Sequence, residues 1–196
     1  LFQMVWDDAD ERERDALYPR GEAWLERFFE SGSWNWIWQR LWAHRPKGRA
    51  LVELGYLWLY DNLGHPGWGR VWQCMFDSGL REPDLLRSAL EALPRQPESP
   101  ADLPIWQKVE TLQPPKAEFL GAIVRKLAQV RSPHKIEQGV DFISSRVGDF
   151  SLSELLGPAI TDSMAHPGWP HFMQLLTKRC RTDLRLLELG LDWLAG

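Results

Sequence analysis

Five histidines, two cysteines and one acidic cluster are the residues here whose chemistry reaches beyond packing, and their spacing decides what each can do. A zinc site needs ligands that converge on one point. His44, His65, His134, His166 and His171 fall mostly in expected loops or near helix starts, and His166 and His171 are separated by Pro167 and Pro170, so they share no helical face. Asp7, Asp8, Asp10, Glu11 and Glu13 have the oxygen ligands of a divalent-ion site, but they also suit a solvated helix N-terminus, where carboxylates complement the helix dipole. The second account is expected. Cys74 and Cys180 have no paired spacing, and no histidine stands where a nucleophile and its base would. The phosphate-binding Gly-rich loops, the G-x-S-x-G elbow and the H-E-x-x-H helix are all absent. The chain is therefore expected to be no enzyme and to need no metal or cofactor, although catalytic groups gathered in space from distant segments leave no motif.

A second set of residues is suited to recognition. Gln39, Gln73 and Gln107 follow one another at intervals of 34, with Gln174 further on, and stacked amides offer a donor and an acceptor to an extended peptide backbone. The alternative is that each glutamine bonds a neighbouring loop or helix end within the protein. Trp36 is an aromatic residue in a position where Arg70, Pro104 and His171 stand elsewhere, and with Arg40 and Arg70 it makes a basic, aromatic patch suited to an acidic or aromatic peptide. Trp36 could equally pack on the segment that precedes it. The candidate partner-binding residues are thus Trp36, Arg40, Arg70, Gln39, Gln73 and Gln107.

The elements that position these residues come from an internal repeat. His65-Pro66-Gly67-Trp68 returns as His166-Pro167-Gly168-Trp169, and dividing the interval into 34, 34 and 33 residues places further copies near 102 and 135 and an earlier one at 34. Trp34, Ile37, Trp38 and Leu41 then align with Trp68, Val71, Trp72 and Met75, with Asp102, Ile105, Trp106 and Val109, and with Trp169, Phe172, Met173 and Leu176. Pro66, Pro100, Pro133 and Pro167 keep the same interval, and near Lys135 the apolar residues shift to Ile136, Val140 and Ile143. Counting the Trp34 position as 0, the apolar positions 0, 3, 4 and 7 form one face of a helix. Position 2 points about 200° away from position 0, which puts Trp36 outward and the glutamines, at position 5, on the border.

A second helix follows each first one after a linker at 43–48, 78–83 or 113–116 rich in helix-stopping residues. Leu51-Val52-Glu53-Leu54-Gly55 returns as Leu186-Leu187-Glu188-Leu189-Gly190, and Trp24-Leu25, Trp58-Leu59 and Trp193-Leu194 keep step. A leading half-repeat is expected over 4–32, its helix opening at Pro19. Gly21, Gly55, Ala89 and Gly190, with Gly157 nearby, mark a small-residue position beneath Trp38, Trp72 and Trp106. In each His-Pro-Gly turn, proline sets the first central dihedral and glycine is expected to take the positive φ.

A two-helix repeat of this length, with Trp early in the first helix and Pro near its boundary, resembles the tetratricopeptide class of solenoids. Trp38, Trp72 and Trp106 stand where that family places Gly, and Leu41, Met75 and Val109 where it places Tyr. The Trp-rich pattern looks like the degenerate repeats of large bacterial signalling and defence NTPases. That likeness implies a sensor or scaffold that binds protein or peptide.

The expected fold is all-α, a right-handed α-solenoid of antiparallel helix-turn-helix repeats of 33–34 residues in a single domain over 4–196, with repeats beginning near 34, 68, 102, 135 and 169. Leu1-Phe2-Gln3 reads as the remnant of a protease-site linker. Lys plus Arg number 23 against 27 Asp plus Glu, so no bulk charge supports nucleic-acid binding. No apolar run approaches the ~20 residues of a membrane span, and a cytoplasmic, reducing setting is expected. A structural role in self-association, through an apolar edge near Trp193-Leu194, is the alternative to a binding module.

Overall fold

The computed structural model describes residues 2–96, 102–147, 152–179, 187, 188 and 191. Every regular element among them is helical. The expectations for Pro100, Cys180, the segment 186–190 apart from Leu187 and Glu188, and Trp193-Leu194 lie outside the described residues. The chain divides into two compact units, Leu1–Ala89 and Leu90–Gly196.

The N-terminal unit holds α1 (Phe2–Asp8), α2 (Glu11–Arg27), α3 (Trp34–His44), α4 (Arg49–Asp61) and α5 (Trp68–Asp77). Helix α6 (Pro83–Ala92) runs across the division. Helix α3 packs on both α2 and α5, and α4 on both α2 and α5. Trp34 and Trp68 each open a helix, as the repeat predicts.

The reason lies in the indoles. Trp34 Nε1 donates to the Leu25 carbonyl at 3.0 Å, and Trp68 Nε1 to the Leu59 carbonyl at 2.9 Å. Trp38 Nε1 donates to Leu51 O and Trp72 Nε1 to Leu85 O, both at 2.9 Å. Within each of these two pairs, the later donor and acceptor lie 34 residues after the earlier ones. The rings stack as well: Trp58 on Trp34 at 5.1 Å, Trp34 on Trp38 at 6.3 Å, Trp38 on Trp42 at 4.6 Å. Trp68 on Trp72 and Trp72 on Phe76 repeat the last two steps at 6.2 and 5.2 Å. Tryptophan thus supplies large apolar area and an N–H that occupies a carbonyl of the adjoining helix.

The small-residue position is crowded by different neighbours in successive repeats. A Cβ on Gly55 would lie 3.0 Å from both the Trp38 ring and Met75 Sδ. At Gly21 the neighbours are the Leu41 methyls at 2.8 Å and Phe2 at 3.0 Å, so leucine and phenylalanine occupy the place expected for tryptophan. Phe2 also stacks on the buried Trp6, so the segment before Met4 takes part in packing. A Cβ on Gly157, by contrast, would meet no atom within 4 Å among the described residues.

Helix α2 starts at Glu11 rather than at Pro19, which sits inside it. The acidic segment explains the difference. Asp10 Oδ1 accepts from Glu13 N at 2.8 Å and Glu13 Oε2 accepts from Asp10 N at 2.9 Å, a reciprocal capping box that nucleates the helix two turns earlier. Pro19 is then carried on an exposed face, where loss of one backbone bond is tolerated. Asp15, on the same helix, ties α2 to the linker after α3: its Oδ1 lies 2.9 Å from His44 Nε2 and 2.6 Å from Arg45 Nη2. The His44 hydrogen bond, followed by that of Arg45, holds the Asp15 carboxyl below its ordinary value of 3.8. A depressed carboxylate stabilises the fold above its unfolded pKa and ceases to do so as pH falls through the folded one. Asp15→Asn should therefore lower Tm at pH 7, and the gap from wild type should narrow as pH falls below 3.8; a gap that stays constant well below that pH would show that the carboxylate charge is not involved.

The expected positive φ in the His-Pro-Gly turn is not found. Gly67 has φ −83°, and among the described residues the left-handed ones are Lys47 (φ 64°), Gly79 (φ 86°) and Gln113 (φ 54°), in the linkers at 43–48, 78–83 and 113–116. The glycines before Trp68 and Trp169 answer to crowding instead: a Cβ on Gly67 would collide with the Asn35 amide, and one on Gly168 with the carbonyls of Val130 and Ala128. A non-glycine residue pays about 1–2 kcal/mol in the left-handed region. Lys47→Gly should accordingly raise stability by about 0.5–1 kcal/mol in denaturant titration; a loss would place the strain elsewhere.

The C-terminal unit contains α7 (Asp102–Glu110), α8 (Lys116–Gln129), α9 (Pro133–Val147), α10 (Leu152–Ser163) and α11 (Trp169–Arg179). Here α8 packs on α10 and α9 on α11. The shifted residues Ile136, Val140 and Ile143 are buried, as expected for the degenerate repeat. Arg146 clamps Glu110 through Nε and Nη2 at 2.6 and 2.8 Å. The indole pattern is looser in this unit, since the buried Nε1 atoms of Trp106 and Trp169 have no hydrogen-bond partner among the described residues. Trp106 lines a small cavity of about 50 Å³ with Asp102, Leu103, Leu127, Val130, Lys135 and Gln138.

Candidate functional site

The apolar stripes of α3 and α5 face inward, and what remains on their other side is the candidate site. Trp34, Ile37, Trp38 and Leu41 are buried on α3, as are Trp68, Val71, Trp72 and Met75 on α5. A helix that commits positions 0, 3, 4 and 7 to the core must turn position 2 away from it. Trp36 and Arg70 both occupy position 2, on helices that pack side by side.

The structure brings these two together. The Arg70 guanidinium carbon lies over the Trp36 ring, 4.7 Å from its centroid, and the tryptophan remains 45% exposed. No carboxylate lies within ion-pair distance of Arg70 among the described residues. Stacking fixes the plane of the guanidinium while leaving its N–H edges to solvent, an arrangement that matches the planar fork of a carboxylate. An exposed cation–π contact contributes only about 0.5–1 kcal/mol. Its effect is to pre-organise a cation beside an apolar ring.

Arg40, one turn beyond Trp36, is engaged by Asp7 of α1 at 3.2 Å. Both side chains are about half exposed, so the pair is worth about 0–1 kcal/mol and exchanges readily. Gln39 Nε2 donates to Asn35 O in the first turn of its own helix at 2.9 Å, so one of its amide donors is engaged within the protein. Gln73 is half-buried on α5, and no side-chain hydrogen bond is made by it among the described residues. Gln107 is exposed on α7 and belongs to the C-terminal unit, as does the exposed Gln174 on α11. The patch described here therefore consists of Trp36, Arg70, Arg40, Gln39 and Gln73.

Several residues that shape this face leave no periodic signal. Asn35 is buried at position 1, gives its backbone carbonyl to Gln39, and presses its amide against Gly67 at the start of α5. Ser78 accepts from Trp42 Nε1 at 3.0 Å and donates to the Cys74 carbonyl at 2.8 Å, so it fixes the end of α5 against α3. The polar residue under an invading glycine and the hydroxyl just past a helix end are recognisable signals only once the helices are placed.

His65 and His166 take part in the two His-Pro-Gly turns. His65 Nδ1 accepts from Gly67 N at 2.9 Å and its ring meets Trp58 edge-on at 5.1 Å. His166 shapes the corresponding turn, accepting from Trp169 N through its carbonyl as His65 does from Trp68 N. Among the described residues no three His, Cys, Asp or Glu side chains are grouped to hold a metal ion. No described helix is long and apolar enough to cross a membrane. No protein-family model, curated protein or solved structure matches this chain.

Proposed function

We propose that the chain is a helical-repeat module that binds a protein or peptide through the outward face of α3 and α5. In this reading the helices form a right-handed α-solenoid of the tetratricopeptide type, serving as a sensor or scaffold within a larger system such as a bacterial defence assembly. The observation that carries it is the solvent-facing Trp36 with Arg70 stacked on its ring. Trp36 leaves nearly half its surface in solvent, and tryptophan is among the residue types enriched at the centre of binding interfaces. The aromatic surface and the free guanidinium edge together favour an acidic or aromatic segment, with Gln39 and Gln73 flanking it.

The test is an affinity capture from the native host with wild type, Trp36→Ala and Arg70→Ala. Both substitutions lie on the surface and should leave circular dichroism and Tm nearly unchanged. Each should weaken retention of a specific partner by at least about tenfold, the effect of an interface hot spot. Undiminished retention by both variants would remove this face from the account.

Self-association is the second reading, supported by the exposed Leu187 and by Leu191, 64% exposed. Concentration-dependent sedimentation at micromolar protein, unaffected by Trp36→Ala, would favour it.

A further inference from the structure

Outside the α3–α5 face, a groove of about 530 Å³ opens between α1 and α2. Its lining is Val5, Asp8, Ala9, Glu13, Ala16 and Leu17. Four of these are apolar, two are carboxylates, and none is basic. Met4, 70% exposed, and Val5, 47% exposed, leave an apolar margin in water on the α1 side.

The neighbouring charges sharpen the picture. Asp7 is drawn off to Arg40, and Asp10 is used in the α2 cap. Arg14 turns back to the carbonyls of Trp6 and Asp7, away from service as a counter-ion. Asp8 makes no hydrogen bond or ion pair among the described residues, and Glu13 uses one oxygen on Asp10 N, leaving acceptor capacity on the other. The groove is therefore an apolar trough with a negative rim. Ala9 and Ala16 keep its floor low, so a helix can approach closely with large apolar side chains of its own.

We propose that this groove is a second docking surface, which receives an amphipathic helix of a partner protein bearing leucine-like side chains flanked by lysine or arginine. The apolar stripe seats between Val5 and Leu17, and the cations meet Asp8 and Glu13. It is separate from the Trp36 face and opposite to it in charge preference.

The probe is a fluorescein-labelled helical peptide of leucine and lysine only, with leucines spaced along one face, titrated by anisotropy into the full chain at physiological salt. Two control peptides replace leucine by serine or lysine by glutamate. The leucine–lysine peptide should bind saturably and at least about tenfold more tightly than either control, since it alone meets both the trough and its rim. Ala16→Gln, which fills the floor without changing charge, should weaken it at least about fivefold, and Asp8→Asn about threefold. Both positions are exposed, and circular dichroism confirms the fold of each variant. Equal binding of the serine–lysine peptide would mean diffuse charge attraction only, and binding indifferent to Ala16→Gln would place the peptide elsewhere. Self-association abolished by Ala16→Gln would assign the groove to a second copy of the chain. Each of these three results overturns the proposal.

Discussion

Trp38→Ala should cost about 3–5 kcal/mol, the scale of a large aromatic side chain deleted from a core. Trp38 is fully buried, stacks on Trp34 and Trp42, covers Gly55 and donates to the Leu51 carbonyl. Truncation removes the stack at its centre, opens a void over the glycine, and deletes the indole hydrogen bond that joins α3 to α4. Trp38→Phe separates the contributions. It keeps most of the ring and loses the N–H, so it should cost about 1–3 kcal/mol. Guanidinium titration followed by far-UV circular dichroism provides both values. Since domains of this size hold about 5–15 kcal/mol in total, the alanine variant should also lose its near-UV aromatic signal first on warming. A cost under about 1 kcal/mol for Trp38→Ala would mean that the ring stack is not what holds α3 against α4.

Gly168→Ala should be nearly as damaging, for a different reason. The added Cβ would stand 2.7 Å from the Ala128 carbonyl oxygen and closer still to that of Val130, and backbone oxygens cannot swing aside as side chains do. Gly168 N also donates to Ala128 O at 2.9 Å, so any shift that relieves the clash stretches the bond that docks the start of α11 on the end of α8. Overpacking and a weakened hydrogen bond together come to about 2–4 kcal/mol. Gly157→Ala is the matched control, because no described atom lies within 4 Å of a Cβ added there and alanine is the better helix former; it should stabilise by up to about 1 kcal/mol. Equal and small effects at the two sites would show that close backbone approach does not constrain position 168. Gly67→Ala should fall between them, since the Asn35 amide that it meets can rotate.

The two glycines show where sequence reading succeeds and where it stops. The positions of α3, α5, α7 and α11 were legible because a large apolar residue recurs at fixed intervals, and periodicity reports which face is buried whatever the details of packing. The same periodicity placed Trp36 outward and aligned it with Arg70. It carried no information on dihedrals, so His-Pro-Gly suggested a positive φ where the structure has a crowded helix start, and the left-handed residues fell at Lys47 and Gln113 without a glycine to announce them. The start of α2 was missed because Pro19 is the stronger local signal, yet the Asp10–Glu13 capping box was present in the sequence and favoured the earlier start. Asp15 with His44 and Arg45, Ser78 with Trp42, and Asn35 against Gly67 join residues about 30–40 positions apart. Such contacts follow from the angles between helices, which hydrophobic pattern alone does not set.

The candidate site was legible in the same uneven way. Trp36 and Arg70 could be paired from their shared position, whereas Arg40 is already occupied by a carboxylate from α1 and Gln39 by its own helix. The α1–α2 groove left no trace in the sequence analysis, because the acidic segment that rims it reads first as a helix cap.

The central claim, that α3 and α5 present the partner-binding face, is tested most directly by photocrosslinking in host cells. A benzophenone amino acid is placed at position 36 and, as a control, at position 57, where Leu57 is exposed on α4. The account predicts one discrete heteromeric product from position 36, lost on adding Arg70→Ala, and none from position 57. Equal labelling from both positions, or a position-36 product that survives Arg70→Ala, would contradict it.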